Sequence, residues 1–228
     1  MLEAEPRILW TEVTRFVGQV NHDLRNHLNA IELQIAFLSE IVTEPKAIDE
    51  VKRLREMTGE LGAHLRRLST SLAKIQLQTM PYQAAEFVED LRARLALDQA
   101  EEAAAIEWKV SLGEEAIEID PQLLQSALLE LCSNAFTHDR AEGALVFEAR
   151  RAGDSVEFSL REPKRQFKGA TGDWGTRPLG QIRNGHYALG LFRARSIFEA
   201  HHGTYRAQFD PAASVLVTTV SLPCGGGL

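Results

Sequence analysis

Apolar residues recur by threes and fours through the first forty positions: Val17, Val20, Leu24, Leu28, Ile31, Ile35, Leu38 and Val42. From Ile8 to Val42 there is no proline and a single glycine, Gly18, so the spacing predicts one long amphipathic helix. Thr43-Glu44-Pro45 breaks it, and proline suits the first turn of the helix that follows. A second stripe, Val51, Leu54, Met57, Leu61, Leu65, Leu68, Leu72 and Ile75, predicts another helix ending before Met80-Pro81. Each stripe takes two consecutive steps of four, around Leu24 to Leu28 and Leu61 to Leu65. An antiparallel hairpin turning at Glu44-Pro45 brings these two places to one level. Leu24 is then opposite Leu65 and Leu28 opposite Leu61, with Ile35 opposite Leu54, Leu38 opposite Val51 and Val17 opposite Leu72. At that level the helices leave a strict heptad.

A helix of about 35 residues is roughly 50 Å long, and two alone leave a long apolar groove uncovered. The simplest closure is a twofold homodimer forming a four-helix bundle; the alternative is a hairpin packed on its own C-terminal half. After Pro81 the pattern changes. Ala84 to Ala105 reads as a helix, while 106–110, 116–119, 144–150, 156–160, 204–209 and 215–222 alternate as strands do. Asp120-Pro121 opens a helix that buries Leu123, Leu124, Ala127, Leu128 and Leu131, and another runs from Leu189 to His201. A glycine-bearing stretch, Pro163 to Gly185, separates them from the preceding strands. The fold class is therefore α+β, with a helical hairpin over residues 1–80 and a two-layer α/β sandwich over 81–223. The glycine-rich end, 224–228, reads as a flexible tail.

Composition narrows the function classes. Among 228 residues, 44% are hydrophobic, enough for a core. The net charge of −7 repels phosphate backbones and argues against nucleic acid. No apolar run approaches the roughly 20 residues that span a bilayer, and the acidic N-terminus lacks a secretion-signal pattern. Two cysteines, Cys132 and Cys224, suggest neither a disulfide framework nor a metal site, and the expected location is the cytoplasm.

His22 lies on a polar stripe with Arg15, Gln19, Asn26 and Asn29, on the side of the first helix away from the apolar seam. Asp23 beside it can hold one imidazole nitrogen protonated and leave the other as nucleophile. Asn26, one turn on, carries an amide able to orient a water. Ordinary solvated helix faces carry such residues too, so the pentapeptide gains weight only from the rest of the chain. On the helix opened by Pro121, Glu130 and Asn134 share a face and can bring a carboxylate and an amide oxygen to a magnesium-bound phosphate. Gly190 stands at the next helix start, where phosphates can approach a helix N-terminus.

In order, these pieces resemble the catalytic core of a sensor histidine kinase over nearly the whole chain. His22-Asp23-Leu24-Arg25-Asn26 resembles the phosphoacceptor box, and Leu128 to His138 the box that holds magnesium and triphosphate. Ala188-Leu189-Gly190-Leu191 resembles the second glycine box, and Ser196 to Thr204 the helix-to-strand passage after it. The resemblance implies ATP and Mg²⁺ as cofactors. Glu130, Asn134, His138, Glu162 and Gly190 would lie around the nucleotide, with Glu130 and Asn134 at the metal. It also implies a homodimer and a response-regulator receiver domain as partners. Three departures accompany it. His27 stands where the commonest class has proline, and Ala188 where glycine is usual. Glu162-Pro163-Lys164-Arg165-Gln166 replaces a first glycine box of an aspartate and two glycines. His22-Asp23 followed by Asn26-His27-Leu28 is similar to sporulation-type histidine phosphotransferases, which do not use ATP. Three readings follow: a kinase that autophosphorylates His22 and passes the phosphoryl group to a receiver aspartate; an ATP-independent phosphotransferase or phosphatase using His22, Asp23 and Asn26; and a non-catalytic dimeric docking scaffold.

Overall fold

The computed structural model describes residues 9–137, 140–165, 167, 170–178 and 189–225. The chain divides into two compact units, one ending at Lys74 and one beginning at Ile75.

The first unit is the expected antiparallel hairpin of α1, Trp10–Ile41, and α2, Pro45–Leu72. Its seam differs in detail from the sequence expectation. The buried positions are Asn21, Leu28 and Ile35 on α1 and Val51, Thr58, Gly62 and Leu65 on α2. Leu28 lies against Gly62, where an added methyl would meet Leu28 Cδ2 at 3.1 Å. Leu65 faces Asn21, whose Nδ2 donates to its carbonyl at 2.8 Å. Leu24 and Leu61, expected in the seam, are 46% and 49% exposed. The apolar stripe is thus two parallel tracks. One, with a seven-residue repeat through 21, 28 and 35, joins the two helices. The other, through Leu24, Ile31, Leu54 and Leu61, is left on the flank. The second helix stops at Leu72, earlier than expected, and Ile75 packs with the second unit's core.

The second unit opens with a strand the sequence reading did not anticipate, β1 (Met80–Gln83), which pairs antiparallel with β3 (Ala116–Ile119) in a sheet of its own. Pro81 hid it, because proline cannot donate to a ladder and is tolerated mainly at sheet edges. The single helix expected over 84–105 is two, α3 (Ala84–Asp98) and α4 (Ala100–Ala104), broken at Gln99 where φ is −148°. The main sheet has the order β2-β4-β5-β7-β6, formed by β2 (Ile106–Ser111), β4 (Leu145–Ala152), β5 (Ser155–Pro163), β6 (Thr204–Asp210) and β7 (Val215–Pro223). Among the described strands of this sheet only β2 and β4 run parallel. Alternation puts Leu145, Phe147 and Ala149, then Val156, Phe158 and Leu160, on the buried face. Phe87 and Leu91 of α3, Leu124 and Leu128 of α5 (Pro121–Thr137), and Ile197 and Phe198 of α6 (Leu189–Ala200) complete one continuous core. This is the expected two-layer sandwich.

Asp120 fixes where α5 begins. Its Oδ1 accepts the Leu123 N–H at 3.0 Å as a cap, and its Oδ2 accepts the Gln78 N–H, also at 3.0 Å. The backbone N–H of Asp120 donates to Nε2 of buried His201 at 2.9 Å, while Nδ1 of that ring donates to the Ile197 carbonyl at 2.8 Å. These bonds tie the starts of β1 and α5 to the end of α6. The glycine-bearing stretch is anchored over its described residues. Phe167 stacks on Phe209 at 5.0 Å, Thr171 donates to the Ala207 carbonyl, and the Trp174 carbonyl accepts from Arg195. The first two residues of the glycine-rich end are hydrogen-bonded to the sandwich. Cys224 N–H donates to the Asp154 carbonyl and Gly225 N–H to the Ala116 carbonyl, both at 2.8 Å; 226–228 lie outside the described residues.

Candidate functional site

Two clusters of polar side chains stand out, one in each unit. In the first, α1 holds His22 on its solvent side, with 68% of the side chain exposed. His22 Nδ1 is 3.3 Å from Asp23 Oδ1, and Gln19 Nε2 donates to the same carboxylate oxygen at 3.0 Å. Gln19 precedes Asp23 by one helical turn, which gives the carboxylate a second partner and a defined position. The Asn26 amide nitrogen is 3.5 Å from His22 Nδ1, at the outer limit of a hydrogen bond. Of the three residues that the sequence reading grouped, His22 is within reach of both Asp23 and Asn26. In the tautomer with its proton on Nδ1 and directed at Asp23, the ring would carry its lone pair on Nε2. No hydrogen bond to Nε2 occurs among the described residues.

The second cluster forms where α5 and α6 meet. Asn134 Nδ2 donates to Glu130 Oε1 at 3.2 Å, as the four-residue spacing predicts. Gly190 lies in the first turn of α6, and a methyl there would overlap the Glu130 carboxylate. Glycine at this position leaves room for that carboxylate against α6, and Glu130, Asn134 and Gly190 lie together. His138, the fourth residue of this group, and Ala188 lie outside the described residues.

Glu162 has a partner that the sequence did not reveal. It sits near the end of β5, paired with Leu216 of β7, and only 5% of it is exposed. Its carboxylate makes an ion pair with the ammonium of Lys164, itself 6% exposed. Burial pushes the Glu162 carboxyl above the ordinary carboxylate range, and the hydrogen bond and charge of Lys164 pull it part of the way back. Lys164 is held in turn by its N–H donating to the Ser214 carbonyl at 2.9 Å and by a backbone bridge to Arg140. Glu162 shares no hydrogen bond or ion pair with Glu130, Asn134 or Gly190 among the described residues. Two residues of consequence escaped the sequence reading. Lys164 was seen as a missing glycine rather than as Glu162's partner. Asn21 was not singled out, although its seven-residue spacing to Leu28 and Ile35 was the available signal.

These positions fit a magnesium-bound triphosphate at one end and not a free adenine acceptor at the other. The Glu130 carboxylate and Asn134 amide offer oxygens suited to magnesium, against a helix start that carries no Cβ at Gly190. Among the described residues no group of three or more His, Cys, Asp or Glu is placed to hold a metal by itself, so phosphate oxygens would have to complete the coordination. Glu162, by contrast, is already engaged by a neighbouring cation.

No family model matches the chain. It is 22% identical to an uncharacterised sensor-like histidine kinase of Rhizobium meliloti (strain 1021), over 93% of this chain and 43% of that protein. It is 25% identical to the sensor histidine kinase ZraS of Klebsiella oxytoca, over 91% of this chain and 45% of that protein. The chain therefore spans less than half the length of these curated relatives. Full-length ShkA, solved in complex with AMPPNP, superposes with a TM-score of 0.74 at 17% identity, covering 93% of this chain and 46% of that one. The histidine kinase AdeS of Acinetobacter baumannii gives 0.55 at 16% identity, over 90% and 98%. The fold, helical hairpin and sandwich together, is that of a histidine kinase catalytic core. Among the described residues no helix is long and apolar enough to cross a membrane.

Proposed function

We propose that this chain acts as the catalytic core of a two-component sensor histidine kinase. Nε2 of His22 attacks the terminal phosphorus of ATP. A nitrogen–phosphorus bond forms as the bond to the departing ADP oxygen breaks. An aspartate of a response-regulator receiver domain then takes the phosphoryl group, and His22 returns to its free form. The observation that carries this reading is the exposed His22 with Nδ1 engaged by Asp23, in a chain with this fold. Asp23 keeps the proton on Nδ1 and stabilises the cationic imidazole as the bond forms. Magnesium, when bound at Glu130 and Asn134, supplies neutralisation of the phosphate charge. Gly190, without a Cβ, lets the start of α6 lie against Glu130, where the phosphates would approach. His138 belongs to the same proposed group.

The same reading includes a homodimer. Leu24, Ile31, Leu54 and Leu61 form an exposed apolar track along the hairpin, and a second copy burying it would complete a four-helix bundle. Leu24→Glu together with Leu61→Glu is expected to convert a species of twice the chain mass into a monomer, read by sedimentation velocity. A monomeric parent chain would remove this part of the proposal.

One observation favours a second reading. The buried Glu162–Lys164 pair occupies the position where the resemblance implies an adenine acceptor. That supports an ATP-independent phosphotransferase or regulator phosphatase, with Asn26 orienting the attacking water. Incubation with labelled ATP and magnesium, and separately with a phosphorylated receiver domain, distinguishes the two. Acid-labile label acquired from ATP supports the kinase, and label acquired only from the receiver supports the phosphotransferase.

A further inference from the structure

Asn21 is the residue of the hairpin seam that breaks its apolar character while remaining 2% exposed. Its Nδ2 uses both hydrogens across the seam, donating to the Leu65 carbonyl at 2.8 Å and to Ser69 Oγ at 2.6 Å. Its Oδ1 is buried with no hydrogen-bond partner. The other buried polar residue of the seam, Thr58, donates only to the Leu54 carbonyl of its own helix. The Arg55 to Ser39 bond crosses between the helices but is exposed. Among the described residues the Asn21 bond to Leu65, with its part-buried companion to Ser69, is thus the shielded polar link between α1 and α2.

Apolar contacts in the rest of the seam are non-directional and tolerate a small rotation of one helix on the other. A side-chain amide bonded to a main-chain carbonyl does not, because the acceptor is part of the α2 backbone. His22 is the next residue, turned about 100° around α1, so any rotation of α1 swings the imidazole by the same angle. We infer that Asn21 is a positioning residue: its bonds to Leu65 and Ser69 fix the azimuth of α1, and with it the direction in which His22 meets its phosphoryl donor and acceptor. The unpartnered Oδ1 is a standing cost, of the kind tolerated where a buried polar group specifies register rather than stability. The inference rests on the reading of His22 as phosphoacceptor for its consequence, and on the seam alone for its geometry.

The test uses Asn21→Leu in the full chain, with Ser69→Ala as a milder variant. Asn21→Leu is expected to melt a few degrees higher, since it removes a buried unsatisfied acceptor. Spin labels at exposed Asn29 of α1 and Glu60 of α2, diluted with unlabelled chain, are expected to give a broader distance distribution than in the parent. Chemical phosphorylation of His22 by phosphoramidate should be unchanged, because the ring stays exposed. Transfer from ATP or to the receiver domain should fall about tenfold or more, as misorientation by even a small amount does. A gain in stability with a loss of transfer is an outcome that a purely structural role would not produce. An unchanged distance distribution, or a lower melting temperature, overturns the inference. If the parent chain takes phosphoryl groups from phosphoramidate alone, the proposed function fails instead, and the distance distributions still decide the role of Asn21.

Discussion

Lys164→Met is expected to lower the stability of the sandwich by about 3–5 kcal/mol at neutral pH, because it strands a buried carboxylate without its counter-ion. Denaturant unfolding followed by circular dichroism reads the loss as a lowered midpoint. The dependence on pH has a definite sign. Burial raises the Glu162 carboxyl above its unfolded value and Lys164 lowers it in part, so removing Lys164 raises it further. The folded variant then holds a proton that the unfolded chain has released, and stability falls as pH rises through that window. Below the ordinary carboxylate range both states are protonated and the deficit shrinks. The double variant Glu162→Leu with Lys164→Met should recover most of the loss, since replacing both members of a buried pair with apolar groups is often nearly neutral. A single variant as stable as the parent at pH 7 would show that no buried charge pair exists there.

Asp23→Asn is expected to slow phosphorylation of His22 by about 10²–10⁴-fold with no measurable change in melting temperature. An amide at this position can donate to Nδ1, which moves the ring proton to Nε2 and blocks the attacking lone pair. Stability is unaffected because the Asp23 side chain is 58% exposed, and surface pairs contribute little. Asp23→Glu, which keeps the charge, should retain more of the rate than the isosteric amide. Single-turnover kinetics with labelled donor measure both.

How much of this was legible in the sequence differs between the units. The hairpin was, because its three- and four-residue steps run through some sixty positions without a competing pattern. The choice of seam was not. Both apolar tracks satisfy helical periodicity, and only packing decides that Asn21, Leu28 and Ile35 lie between the helices while Leu24 and Leu61 stay on the flank. In the sandwich, strict alternation made β4, β5 and β7 readable. The strand at Met80–Gln83 and the break at Gln99 were not, because Pro81 argues against a strand and the Ala-rich stretch argues for an unbroken helix.

The site divides along the same line. Glu130 and Asn134 are four residues apart on one helix, so their meeting follows from local geometry. The approach of Gly190 to Glu130 joins two helices distant in sequence, and the motif order alone suggested it. Glu162 with Lys164 shows the limit. The two are neighbours in sequence, yet their burial depends on β7 beside them and on the Ser214 carbonyl that holds the Lys164 backbone. Substitution of a glycine by lysine was visible in the sequence; its conversion of a lone carboxylate into a closed ion pair was not.

The central claim concerns one nitrogen atom, and the most direct measurement is transfer of labelled phosphate from ATP with magnesium to the parent chain and to His22→Gln, with the label mapped by proteolysis. The account predicts acid-labile, base-stable label on the α1 peptide of the parent and none above background in the variant, with both proteins melting at the same temperature. Label of equal intensity in His22→Gln, or a parent chain that takes none from ATP, would contradict it.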